Sequence, residues 1–239
     1  MPGSQQLKAE ARKLMKENAP KLFFVSALFV VITTVMSELE YRLPGTSSAY
    51  FRYIEQIAYG EPHSAELLLS YLTPYGVILA LFLILVRPVI EVGFRSYCLK
   101  TSRALGGDYK DVLDGFAFTM KVIMLFIITS IFIMLWSLLF IIPAIPAYYR
   151  YRLAYYILLD DPSKSPLECI NESKRLMDGH KLDLFLIDLS FIGWYVFSLS
   201  VSILIPLPFA FPIVSVWLSP YHGLALAMYY DRLRDNAAL

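Results

Sequence analysis

Arg87, Glu91 and Arg95 stand four residues apart in LVRPVIEVGFRSY, which takes over from the uncharged run PYGVILALFLILV. At 3.6 residues per turn the three side chains share one helical face. Ionisable groups on the end of such a run either neutralise one another inside a bilayer or line a polar path through it. More chemistry of this kind lies further along: Arg150 and Arg152 in IPAYYRYRLAYY, Asp188 in LFLIDLSFIGW, and His222 in SPYHG. Residues two apart on a helix project about 200° from one another, so one of the two arginines faces the interior. With Tyr148, Tyr149, Tyr151, Tyr155 and Tyr156 they form a set able to hold a phosphate or carboxylate headgroup. The plainer reading is an interfacial aromatic belt with arginines that reach to the headgroups. His222 follows Pro220, whose missing N–H frees the Val216 carbonyl. A kink, an imidazole and Gly223 suit a gate, and equally a packed kink with a hydrogen-bonded histidine.

The elements that must position these groups are helices in a membrane. Hydrophobic residues make up 57% of the 239 and charged residues 17%, with a mean hydropathy of +0.56. Soluble domains carry about 45–50% apolar and about 25% charged residues. The apolar excess falls in blocks close to the roughly 20 residues that a span needs. Spans are expected at 22–36, 72–95, 120–142, 145–159, 183–205 and 211–230. Residues 5–19 read as an interfacial amphipathic helix with Lys8, Arg12 and Lys16 on one face. Residues 37–71 read as an outer loop. SPLE, from Ser165 to Glu168, is a capping box with proline at the first helical position, opening a cytosolic helix over 165–179. IIPAIPAYY is expected to be a tight corner, and PLPFAFP a turn on the far side. The fold class is therefore all-α: one integral domain over 1–239, about six transmembrane helices arranged as three hairpins, with amphipathic inner-surface helices. A weak internal echo supports the three-fold plan: ARKLMKENAPKLF aligns without gaps on SKRLMDGHKLDLF.

Orientation follows from the basic residues. With both termini cytosolic, sixteen of the 21 Lys and Arg lie inside and only Arg42 and Arg52 outside. The other three, Arg87, Arg150 and Arg152, fall within spans. Counted from Pro74, Arg87 lies about 20 Å down its helix, and Asp188 about 10 Å from Lys181. Those depths agree, so the expectation is a buried cluster of Arg87, Glu91 and Asp188 that packs the second span against the fifth.

The strings IIPAIPAYYRYRLAYYILLDDP, ESKRLMDGHKLDLFLIDLSFIGW, SPYHGLALAMYYDRL and GFRSYCLKTSRALGGDYKDVLDGF resemble the bacterial integral-membrane family known as domain of unknown function, number 975. The resemblance implies a multi-span protein of the bacterial cytoplasmic membrane. It also implies a plan similar to the membrane domain attached to some glycerophosphodiester phosphodiesterases. It implies no reaction.

Several classes are disfavoured. There is no CxxC, HExxH, GxSxG or histidine cluster, so no metal, cofactor or enzymatic activity is expected. Two cysteines, Cys98 and Cys169, are too few for a disulfide framework. No basic run with interleaved aromatics points to nucleic acid. Two readings stand. One is a small transporter or lipid-handling protein that binds an anionic or amphipathic solute through Arg87, Arg150 and Arg152, with Glu91, Asp188 and His222 on the pathway. The other is a non-catalytic accessory or assembly subunit of a membrane complex, in which the charges are a structural ion network. The expected partners are membrane lipids, together with the solute in the first reading or another membrane protein in the second.

Overall fold

The computed structural model describes residues 4–42, 54–59, 74–139, 141–204 and 213–237. Every regular element among them is helical: α1 (Ser4–Glu17), α2 (Lys21–Arg42), α3 (Pro74–Ser102), a 3-10 turn (Tyr109–Leu113), α4 (Asp114–Ala117), α5 (Thr119–Leu139), α6 (Ile141–Tyr151), α7 (Ala154–Asp160), α8 (Pro166–Leu176), α9 (Lys181–Leu204) and α10 (Ile213–Ala237). Most of the expected outer loop, and the PLPFAFP turn, lie outside the described residues.

Four helical stretches are long and apolar enough to cross a bilayer: Lys21–Glu40, Pro74–Ser102, Thr119–Leu138 and Lys181–Val201. They are compatible with a membrane protein, and their outward faces explain why. On α5, Val122, Leu125 and Thr129 point inward, at i, i+3 and i+7. Met120, Met124, Ile127, Ile131 and Leu138 are exposed. On α9, Leu184, Ile187 and Phe191 are buried, while Leu186, Leu189, Ile192 and Val196 face out. Apolar surface continuous along whole helices is rare on a soluble monomer and suits hydrocarbon.

The other two expected spans take a different form. The stretch 145–159 is not one helix. α6 ends at Tyr151, Arg152 and Leu153 form a turn, and α7 begins at Ala154. Pro143 sits in the first turn of α6, where a missing N–H costs no ladder bond, and Pro146 lies just inside it. The proline pair therefore sits within a helix, where a tight corner was expected. α10 is long, but Leu218, Tyr221, Leu224, Ala225, Tyr229 and Tyr230 are all buried. A helix wrapped by its neighbours need not be apolar toward lipid.

The chain divides into two compact units, one of residues 1–30 and 88–239 and the other of residues 31–87. One division point falls at Pro88 inside α3, where the Ile84 carbonyl loses its helical donor. In the larger unit, α1 does not lie free in a headgroup layer. Leu7, Ala11 and Met15 are buried at i, i+4 and i+8, and the helix packs on α9 and α10. Ser165 caps α8, its hydroxyl accepting from the Glu168 N–H while the Glu168 carboxylate accepts from the Ser165 N–H. The buried stripe Cys169, Ile170, Ser173 and Leu176 seats α8 against α5, α6 and α7.

Candidate functional site

Asp188 is the acceptor around which a polar centre forms in the larger unit. It lies one residue past Ile187, on the edge of the α9 core stripe. The Tyr149 hydroxyl donates to its Oδ2 at 3.0 Å, the Arg152 guanidinium meets the same oxygen, and His222 Nε2 is 2.9 Å from Oδ1. The Tyr195 hydroxyl lies 3.2 Å from His222 Nδ1. One neutral tautomer satisfies both contacts: Nε2–H donates to the carboxylate, and Nδ1 accepts from the phenol. The result is a continuous chain, Tyr195–His222–Asp188–Arg152, carried by α9, α10 and the α6–α7 break. Side-chain exposure falls to 9% for Arg152, with 21% for Asp188 and 19% for His222. Arg152 also stacks near Tyr148 and Tyr149, at 5.5 and 5.9 Å from their centroids.

The break that carries Arg152 has a local cause. At 2.7 Å the Ser173 hydroxyl of α8 donates to the Arg150 carbonyl, the group that a continuous helix would offer to residue 154. The chain can thus interrupt its ladder there with that acceptor satisfied. Arg150 itself keeps a buried Nε with no partner among the described residues.

Depth is set by a second network at one end of the same unit. Arg103 donates to Asp231 at 2.9 and 2.6 Å and to Asp160 at 2.6 and 3.0 Å. Asp160 also accepts from Tyr230 at 2.8 Å and from Arg234 at 2.6 Å. Burial alone would raise the Asp160 pKa, but the hydrogen bonds from Arg103, Tyr230 and Arg234 and the Arg103 charge hold it below its ordinary 3.8. From this network or its level, Arg152 is eight residues from Asp160, His222 nine from Asp231, and Asp188 seven from Lys181. Three helical segments therefore bring their groups to the same height, about 10–14 Å along the helices. Neither the lock nor its residues stood out in the sequence. Arg103 and Arg234 counted there only as inner-surface charge.

The expected cluster set Arg87 against Asp188; the contacts described for Arg87 lie within its own unit. In the smaller unit, Arg87 Nη2 donates to the Ser37 hydroxyl at 2.6 Å, and Nη1 is 3.9 Å from the Glu40 carboxylate. The expected first span ended at Met36, which consigned Glu40 to a loop. α2 in fact continues to Arg42 and brings it onto the helix. The second span was likewise expected to end at residue 95, whereas the helix runs to Ser102. Glu91 pairs with Arg95 at 3.5 Å. Of the six residues singled out in the sequence, the structure joins Arg152, Asp188 and His222. It pairs Arg87 and Glu91 elsewhere and leaves Arg150 Nε unmet. Among the described residues, no three His, Cys, Asp or Glu side chains gather as a metal site would require.

Comparison with known proteins places part of this chain. Residues 138–237 match the family described as "Protein of unknown function (DUF975)", so that stretch is similar to this family. The match takes in α6 through α10 and with them the whole polar centre, and leaves Arg87 and Glu91 outside. No curated protein and no solved structure matches the chain.

Proposed function

We propose that this chain is a multi-span protein of a bacterial cytoplasmic membrane that binds and moves an anionic or amphipathic solute at the Arg152–Asp188–His222 centre. In this reading it has six spans with both termini cytosolic, the broken helix α6–α7 serving as the fourth and the enclosed α10 as the sixth. The observation that carries the reading is the break itself. A helix interrupted at a nearly buried arginine, whose counter-ion comes from another helix at the same height, is the form that solute sites take in membrane carriers. Intramembrane ionisable groups mark such pathways by default. Asp188 balances Arg152, and His222 with Tyr195 offers a route for a proton alongside the solute. The chain acts as a carrier and catalyses no bond change.

The second reading, an accessory subunit held together by a structural ion network, draws support from the closure of the pairing: each charge in the centre already has a partner. One experiment separates the two. His222→Cys, in a background lacking Cys98 and Cys169, is reconstituted in liposomes and exposed to a small water-soluble thiol reagent. A carrier pathway admits water, so position 222 should label. Complete protection in native-like lipid would remove the carrier reading and leave the scaffold.

A further inference from the structure

Arg95 Nη1 and the Tyr156 hydroxyl are two of four side-chain donors in the larger unit that are buried with no partner among the described residues, the others being Arg150 Nε and Arg232 Nη1. Tyr156 is wholly enclosed, at 0% exposure, and its ring stacks on Tyr230 with 5.2 Å between centroids. The Arg95 guanidinium lies over the ring of the preceding residue, Tyr155, 4.7 Å from its centroid. Tyr156 is within electrostatic reach of Arg95, Cys98, Arg152 and Asp231. Cys98 in turn abuts Gly223, where an added Cβ would come within 2.7 Å of its Sγ. Neither donor takes part in the hydrogen bonds of the Arg152–Asp188–His222 centre.

We infer that Arg95 and Tyr156 form a second site, which binds an oxyanion of the phosphate or carboxylate class. A guanidinium has donors only, and a phenol with an empty hydroxyl also seeks an acceptor. A ligand that satisfies both must bring lone pairs, which excludes ammonium groups and metal cations. An anion is favoured over water because a guanidinium makes its strongest hydrogen bonds to an ionised acceptor. The one carboxylate contact of Arg95 is long, Nη2 to Glu91 at 3.5 Å, and leaves Nη1 to be met. The aromatic walls of Tyr155, Tyr156 and Tyr230 lower the local dielectric and strengthen each charge-assisted bond. The source is either a free anion or the phosphate of a membrane lipid. This site is independent of solute movement and stands on residues that the carrier reading does not use.

The test is thermal unfolding of delipidated protein in zwitterionic detergent, with and without inorganic phosphate at constant ionic strength, and of protein in phosphatidylcholine nanodiscs with and without phosphatidylglycerol. Wild type should gain about 3 °C or more from one probe. A free-anion site responds to phosphate itself, and a headgroup site responds only to phosphatidylglycerol. Tyr156→Phe and Arg95→Gln should lose most of that gain. Without either probe, Tyr156→Phe should be at least as stable as wild type, because the hydroxyl that it removes has no partner. That control keeps the test valid where Arg95→Gln folds poorly. No gain in wild type with either probe, or an equal gain in both variants, overturns the inference. So does a Tyr156→Phe that is weakened with no anion present, which would identify the occupant as water. Labelling at position 222 bears only on the carrier reading, so either proposal can fail alone.

Discussion

Asp188 receives an arginine, a histidine and a tyrosine, so its removal strands a nearly buried guanidinium. Asp188→Asn should therefore cost a few kcal/mol, about 3, read as a fall in Tm of the detergent-solubilised protein. Arg152→Gln added to it should recover part of the loss, because the double change leaves no unpaired charge. Strict additivity would mean that the two side chains do not interact. Asp160 gives a prediction in pH. Its folded pKa is depressed, so its contribution is fully present above the unfolded value and disappears as pH falls through the folded one. The Tm difference between wild type and Asp160→Asn should hold from pH 6 to about 4 and shrink below that. A gap unchanged down to pH 3 would show that the lock does not depend on an ionised Asp160.

At the scale of elements, the close approach of α3 to the segment before α5 depends on two glycines. A Cβ on Gly93 would come within 1.8 Å of the Val112 carbonyl oxygen, and one on Gly115 within 2.0 Å of that of Val89. Both obstacles are backbone, so neither can rotate away. Lys100 fixes the same contact with ion pairs to Asp111 at 2.6 Å and Asp114 at 2.8 Å. Gly93→Ala and Gly115→Ala should each destabilise by about 1–3 kcal/mol, measured by chemical or thermal unfolding, while Gly106→Ala, with open space around it, should cost less despite its positive φ. α1 belongs to the bundle by a similar argument. Lys8 donates to the carbonyl and hydroxyl of Ser190 at 3.2 and 3.1 Å, and Arg12 to the Tyr221 hydroxyl at 2.8 Å. Its basic face thus reaches the rings that flank the polar centre, Phe191 and Tyr221, which the i, i+4, i+8 spacing alone would have assigned to lipid headgroups.

For the whole molecule, the proposed topology makes an accessible prediction. Single cysteines at Ser47 and Ser163, in a background without Cys98 and Cys169, are exposed to an impermeant thiol reagent in intact cells. Ser47 should label and Ser163 should not. The opposite pattern would invert the orientation and move the Arg103–Asp160–Asp231 lock to the outer face. Labelling at both would place the two positions on one side and require an odd number of crossings between Ser47 and Ser163 to become even.

The sequence by itself determined the class of the molecule. Composition and block length are bulk properties, and they announce apolar helices before any contact is known. Local chemistry was also legible: the Ser165–Glu168 cap forms where its spacing puts it, because a capping box closes within one turn of chain. What the sequence could not supply was pairing. Arg87 found Glu40 because α2 runs on past Met36, a continuation that polar residues permit and hydropathy does not register. Arg152 found Asp188 because a hydroxyl on α8, more than twenty residues away, satisfies a carbonyl and lets the helix break beside it. The stretch 211–230 read as a span, but that α10 is enclosed by other helices, with Leu218, Tyr221 and Leu224 buried, is again a fact of packing. Which charge meets which depends on where helices end, break and enclose one another, and those are properties of the folded bundle alone.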